Sequence, residues 1–222
     1  MQYKVVEKFV SINGEGIKAG ELSIFIRFAG CNLDCSYCDT KWANEKNVQY
    51  ELLEKEEILS YIKECGIKNV TLTGGEPLIQ EGIGQLISFL MKNNGLNIEI
   101  ETNGSIDISE FKKIINDRVS FTMDYKLPCS DMEDKMNMDN FKNLSKKDVI
   151  KFVVGTESEL FLIKDLNNKY DLTENCNVYL SPVFGTIAPE KVVNFMKENK
   201  LNGIRLQIQL HKIIWKPEER GV

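Results

Sequence analysis

The sequence predicts an α/β fold: a parallel sheet curved into an incomplete TIM-type barrel. Three observations predict it. Short β-branched runs alternate with amphipathic helical stretches from residue 22 onward. The chain has 222 residues, fewer than the ~250 of a complete eight-unit barrel. Glycines and charged residues follow directly on several runs, and parallel α/β folds hold ligands at these carboxyl ends.

Strand-like runs cover residues 22–29, 69–73, 97–102, 119–125, 149–154, 178–181 and 204–210. Between them, residues 54–65 place Ile58, Leu59 and Ile62 on one helical face and stop at Gly66. Residues 83–94 gather Ile83, Leu86, Ile87 and Leu90 and stop at Gly95. Ser109 is placed to cap residues 110–117, with Phe111, Ile114 and Ile115 facing inward. Pro189 opens a helix over 190–200, where a missing N–H costs nothing. Residues 130–151 read as a polar excursion with a short helix, and Met132, Met136 and Met138 as local packing. No repeat or linker divides the chain, so one domain is expected over residues 1–222.

Composition narrows the function classes. Apolar residues make up 42% and charged residues 27%, which excludes disordered and fibrous classes. The net charge of −5 gives no footprint for nucleic acid. No apolar run approaches the ~20 residues of a membrane span. The opening MQYKVVEKFV lacks the apolar stretch of a secretion signal, so a cytosolic location is expected. Thiols stay reduced there, and the six cysteines read as ligands, nucleophiles or small core residues. A single histidine, His211, excludes multi-histidine metal sites.

The chemistry concentrates after the first long run. Cys31, Cys35 and Cys38 form C-x3-C-x2-C in a loop rich in Asn, Asp and Ser. Three thiolates this close wrap one soft metal centre, whereas closed zinc and electron-transfer sites take four ligands. A 4Fe–4S cluster on three cysteines leaves one iron open to a small molecule. A zinc site and three core thiols are the other readings. Cys65, Cys129 and Cys176 have no ligand spacing and read as incidental.

Later runs carry polar groups to one rim. The second ends in Thr73-Gly74-Gly75-Glu76-Pro77, where paired glycines let backbone approach a ligand. The next two end in Glu101-Thr102-Asn103-Gly104 and Asp124-Tyr125-Lys126.

The three-cysteine motif with an aromatic before its last cysteine, followed by Gly-Gly-Glu-Pro, resembles the radical S-adenosylmethionine enzymes. The resemblance implies a radical SAM core reduced in helices and a 4Fe–4S cluster on Cys31, Cys35 and Cys38. It also implies S-adenosylmethionine on the fourth iron, cleaved to a 5′-deoxyadenosyl radical that abstracts a substrate hydrogen. Within this group, Ile12-Asn13-Gly14-Glu15, Arg27, Asp39-Thr40 and Gln209-Leu210-His211-Lys212 are similar to the 7-carboxy-7-deazaguanine synthase family, over nearly the whole length. Asn13 stands where that family usually has Gln.

This resemblance implies a lyase that contracts 6-carboxy-5,6,7,8-tetrahydropterin to 7-carboxy-7-deazaguanine with loss of ammonia, for queuosine and 7-deazapurine biosynthesis. Implied S-adenosylmethionine contacts are Tyr37, Cys38, Asp39, Gly74, Gly75, Glu76, Glu101, Asp124, Tyr125 and Lys126. Implied substrate contacts are Ile12, Asn13, Gly14, Glu15, Arg27, Thr73, His211 and Val222, with Arg27 and His211 catalytic. Thr40 would ligate Mg2+. Arg27 is suited to a bidentate pair with the substrate carboxylate. Implied partners are the pterin, an electron donor such as flavodoxin or ferredoxin, and a second copy of the chain. A glycyl-radical activase and a non-catalytic iron–sulfur or zinc protein are the competing readings.

Overall fold

The computed structural model describes residues 1–217 and 219–222. Its centre is a nine-stranded sheet: β1 (Gln2–Ile12), β2 (Leu22–Phe28), β3 (Glu51–Glu54), β4 (Asn69–Gly74), β5 (Asn97–Thr102), β6 (Val119–Lys126), β7 (Val149–Val154), β8 (Asn177–Pro182) and β9 (Ile204–Leu206). The order is β3-β1-β2-β4-β5-β6-β7-β8-β9. β1 runs antiparallel to β2 and β3, and every pairing from β2 to β9 is parallel. The sheet stays open, with β3 and β9 as edges. It is a partial TIM barrel, as the length predicts.

Period-two alternation separates two environments. Ile24, Ile26, Phe28, Val70, Leu72, Ile98, Ile100, Phe121, Met123, Tyr125, Ile150, Phe152, Val178 and Leu180 point outward into the main core. The intervening Arg27, Thr73, Glu101, Asp124, Lys126 and Lys151 point inward and line a cavity. An apolar side facing helices and a polar side facing ligand is what this alternation requires.

The helices cover the apolar side. α1 (Lys55–Cys65) starts from a capping box between Glu54 and Glu57 and ends at left-handed Gly66, burying Ile58 and Ile62. α2 (Ile83–Met91) buries Ile83, Leu86, Ile87 and Leu90. α3 is Ser109–Ile114. α4 (Glu157–Tyr170) starts from a Thr156–Glu159 capping box and buries Leu160, Ile163 and Leu166. α5 (Leu172–Asn175) is a single turn. α6 (Pro189–Glu198) buries Val192 and Phe195 behind its first-turn proline. α7 (His211–Ile214) is one turn near the carboxyl end. No helix among the described residues is long and apolar enough to cross a membrane.

Several expectations are corrected. β1 and β3 escape the sequence reading, because charged Lys4, Glu7 and Lys8 interrupt one and the other has four residues. α4 was also unforeseen. Ser109 does not cap α3; it is the first helical residue, and its N–H donates to Asp107 instead. Ile114 is exposed rather than inward-facing. β9 stops at Leu206, not at residue 210, because Gln207 and Gln209 turn away to bind the loop after β1. Residues 130–148 contain 3-10 turns and no α-helix, and they bury Asn140, Phe141 and Asp148.

Leu72 is fully buried on a central strand. Leu72→Ala removes that packing and is expected to cost about 2–5 kcal/mol. Urea titration should show a lower midpoint at an unchanged slope.

Candidate active site

The polar side of the sheet opens into a cavity of about 450 Å³. Its wall comes from the carboxyl ends of the parallel strands, the cysteine loop, the loop after β1 and the carboxyl-terminal tail.

The cysteine loop leaves β2 and is fixed at several points. Gly30 donates its N–H to the Ala43 carbonyl at 3.0 Å. Ser36 donates its N–H to the Ser130 carbonyl at 3.1 Å and its hydroxyl to the Cys129 carbonyl at 2.6 Å. Asn32 donates to the Ser105 hydroxyl at 2.8 Å. The thiols of Cys31, Cys35 and Cys38 all border the cavity, and none of Cys65, Cys129 and Cys176 does. Cys31 Sγ receives the Leu33 N–H at 3.4 Å and Asn103 Nδ2 at 3.5 Å.

Burial raises the pKa of Cys31 and of Cys35, and the neighbouring thiols add to the rise at both. Three adjacent thiolates are therefore costly unless a cationic centre sits among them. N–H donors to the Cys31 sulfur and three thiols on one wall suit an iron–sulfur cluster. The donor set fits the group that the resemblance implies.

The end of β4 lies against this loop. Gly75 donates its N–H to Phe28 O at 3.1 Å, and Glu76 donates its N–H to Gly30 O at 2.9 Å. A Cβ on Gly75 would overlap the Gly30 carbonyl, and Gly74 has φ +142° against the Phe28 backbone. Only glycine permits this approach.

Glu76 itself does not reach the cavity. Its carboxylate is fully buried and accepts from Leu78 N (2.9 Å), Thr102 Oγ1 (2.9 Å) and Asn103 N (2.6 Å). It joins β4 to β5 and holds Asn103 beside Cys31. Tyr125 is also absent from the cavity. Alternation sends it outward between Asp124 and Lys126, against Phe141 and Phe152. The remaining residues expected from the sequence all line the cavity, namely Ile12, Asn13, Gly14, Glu15, Arg27, Tyr37, Asp39, Thr40, Thr73, Gly74, Gly75, Glu101, Asp124, Lys126, His211 and Val222 along with the three cysteines.

Their surroundings differ. Arg27 faces Glu7 across the β1–β2 ladder and donates through Nε at 3.0 Å, with its guanidinium over Phe9. This leaves both terminal nitrogens without a protein partner among the described residues. Asn13 donates through Nδ2 to Glu99 at 2.6 Å, and its Oδ1 is buried with no partner among the described residues. Thr40 Oγ1 lies 3.6 Å from Cys38 Sγ. His211 sits on α7 rather than at a strand end, and its ring packs so closely on Gly14 that a Cβ there would overlap Nδ1. Burial lowers the His211 pKa, with Glu15 pulling the other way, and so favours the neutral ring. Asp39 pairs with Lys212 at 3.0 Å. Burial would raise its pKa, but Lys212 outweighs that and holds it below the usual range.

The sequence reading gives no role to Glu7, Lys151 and Arg220, and names Asn103 and Gln209 without assigning them a contact. Arg220 places its guanidinium 4.2 Å from the centre of the Trp42 ring, and both border the cavity. Lys151 carried a signal, a lone charge in the apolar run Val149–Val154.

Burial, reinforced by Glu99, pushes Glu101 up to about 7 against the pull of Lys151. A carboxyl raised in the folded chain favours folding below its ordinary range and loses that contribution as pH rises through 7. Glu101→Gln abolishes this loss. Relative to wild type, the ligand-free variant should gain roughly 2–3 kcal/mol between pH 4.5 and pH 8 in urea titrations.

Residues 25–125 match the Radical SAM superfamily. The chain is 62% identical over 222 residues to the 7-carboxy-7-deazaguanine synthase of Clostridium acetobutylicum, covering 100% of both chains. It is 34% identical over 245 residues to the 7-carboxy-7-deazaguanine synthase of Leptospira interrogans, covering 100% of this chain and 99% of the other. Its fold is similar to the crystal structure of QueE from Escherichia coli, with a TM-score of 0.73 at 23% identity over 94% of each chain. Three thiols and a Gly-Gly strand end on one cavity, with full-length identity to a named relative, place this chain in the 7-carboxy-7-deazaguanine synthase family.

Proposed function

We propose that this chain is a lyase that converts 6-carboxy-5,6,7,8-tetrahydropterin to 7-carboxy-7-deazaguanine with release of ammonia. One observation carries the reading. The three thiols share a cavity with an arginine whose terminal nitrogens have no partner, and an asparagine whose buried carbonyl has none, among the described residues. A cluster site alone requires neither. A pterin carboxylate suits the arginine fork, and a pterin N–H suits the orphaned acceptor.

Cys31, Cys35 and Cys38 would hold the 4Fe–4S cluster. Bound together, the cluster and S-adenosylmethionine supply the hydrogen-abstracting radical. The chain's own part is placement. The backbone at Gly74 and Gly75 offers an edge for the methionyl group of S-adenosylmethionine. Tyr37, Asp39, Glu101, Asp124 and Lys126 line the space beyond it. Arg27 anchors the substrate carboxylate, with Glu7 fixing the guanidinium. Asn13, Gly14, Glu15 and Thr73 face the ring. His211, neutral and pressed on Gly14, is positioned to exchange a proton with substrate. Thr40 offers an oxygen to Mg2+ beside the cluster loop.

An external one-electron donor, flavodoxin or ferredoxin, completes the reaction. Exposed Ile208, Ile213 and Ile214 support a homodimer, which light scattering should report as twice the chain mass.

The reconstituted enzyme, supplied anaerobically with reductant, S-adenosylmethionine, Mg2+ and the carboxylated tetrahydropterin, should form the deazapurine. Absence of product overturns the reading. Cys31→Ala, Cys35→Ala and Cys38→Ala should each lose cluster iron and all turnover. A full complement of iron in any of them removes that cysteine from the ligand set.

A further inference from the structure

Lys151 lies mid-strand on β7, and its side chain is 8% exposed. Its ammonium is shared between Glu15 Oε2 and Asp124 Oδ1, both at 2.9 Å. The two carboxylates come from different parts of the chain. Asp124 is the direct neighbour of Lys151 across the β6–β7 ladder. Glu15 arrives on the loop after β1, toward the other edge of the sheet.

The remaining oxygens are also engaged. Asp124 Oδ2 accepts from Lys126 at 2.7 Å, and Glu15 Oε1 accepts from Ser181 at 2.8 Å. Gln209 Nε2 reaches Glu15 Oε2 at 3.4 Å. Burial works against the Lys151 charge, but Asp124, Glu15 and Glu101 outweigh it and hold the ammonium charged. Burying an ammonium is costly, and a strand needing only packing would carry valine here.

Glu15 borders the side of the cavity where Asn13 and Gly14 lie. Asp124 borders the side of Lys126 and Tyr37. Among the described residues, Lys151 is the single side chain bonded to both.

We propose that Lys151 is a positioning residue that couples the two halves of the cavity, fixing Glu15 for the pterin and Asp124 for S-adenosylmethionine through one shared ammonium. Occupancy of either half then orders the other. This rests on the function proposed above. Without the ammonium, Glu15 loses its main anchor and Asp124 keeps only Lys126. Arginine preserves the charge and reaches both carboxylates through a different geometry.

The test uses reconstituted wild type, Lys151→Met, Lys151→Arg and Glu15→Gln. S-adenosylmethionine affinity is measured by equilibrium dialysis with and without saturating 6-carboxypterin, a probe that does not turn over. Turnover of the tetrahydropterin gives KM, kcat and the ratio of 5′-deoxyadenosine to product. Wild type should show mutual tightening of about tenfold. Lys151→Met should bring that factor to one, raise KM about a hundredfold and release 5′-deoxyadenosine without product, at unchanged iron content. Lys151→Arg should restore part of each. Should the methionine variant fail to fold, Glu15→Gln must abolish the tightening, and retention there overturns the proposal. Wild-type tightening and KM preserved in Lys151→Met also overturn it. Wild-type turnover without any mutual tightening overturns the coupling alone. No wild-type product overturns the function and the proposal with it.

Discussion

A sheet that does not close leaves its concave side with no packing partner of its own. That constraint organises this molecule. The outward side chains of β2 and β4–β8 are apolar and meet helices, so the stabilising core lies outside the barrel. The concave side is then free to be polar. It carries Arg27, Glu101, Asp124, Lys126 and Lys151 around a cavity. Burying so many charges is tolerable only because they compensate one another. Each ammonium there has a carboxylate within bonding distance, and Lys151 has two.

The cluster loop shows the same economy with the sign reversed. Its three thiols sit together with little cationic help from the protein, since Lys126 beside Cys35 is the main positive influence. Burial and the neighbouring thiols disfavour the ionised form at Cys31 and Cys35, and a cationic centre among them would favour it. The rigid part of this arrangement is backbone. Glycines at 74 and 75 press against Phe28 and Gly30, so the cysteine loop and the end of β4 move as one piece. Glu76 extends that piece to β5 by accepting three donors at once.

Much of this was legible in the sequence, for physical reasons that vary by element. The central strands declare themselves because β-branched runs are rare elsewhere. The cysteines declare themselves by spacing. The Gly-Gly pair does so because few other residues tolerate φ near +142°. What escaped depends on distant partners. Glu76 reads as a ligand-facing acid until Thr102 and Asn103 are seen to claim it. Tyr125 sits between two cavity residues, and only strict alternation shows that it turns away. Lys151 has no local partner at all, since Glu15 is 136 positions distant. β1 resembles a solvated segment because it is interrupted by charges, one of which, Glu7, is reserved for Arg27. α4 is different: its Thr156–Glu159 box is a local signal of a helix start that the sequence itself carries.

The loop after β1 is clasped by Ser181, Gln207 and Gln209, and Leu210 donates to the Gly14 carbonyl at 3.2 Å. Synthesis delivers these partners well after the cysteines. A nascent chain emerging at about 5–20 residues per second has its cysteines exposed well before Gln207 appears. During that interval the thiol loop exists and the cavity does not. The polypeptide therefore has its three-cysteine segment before its cavity wall is complete, and contacts this remote in sequence make the final closure slow. Enclosure of the site is a late event in the life of the chain, set by the order in which its residues are made.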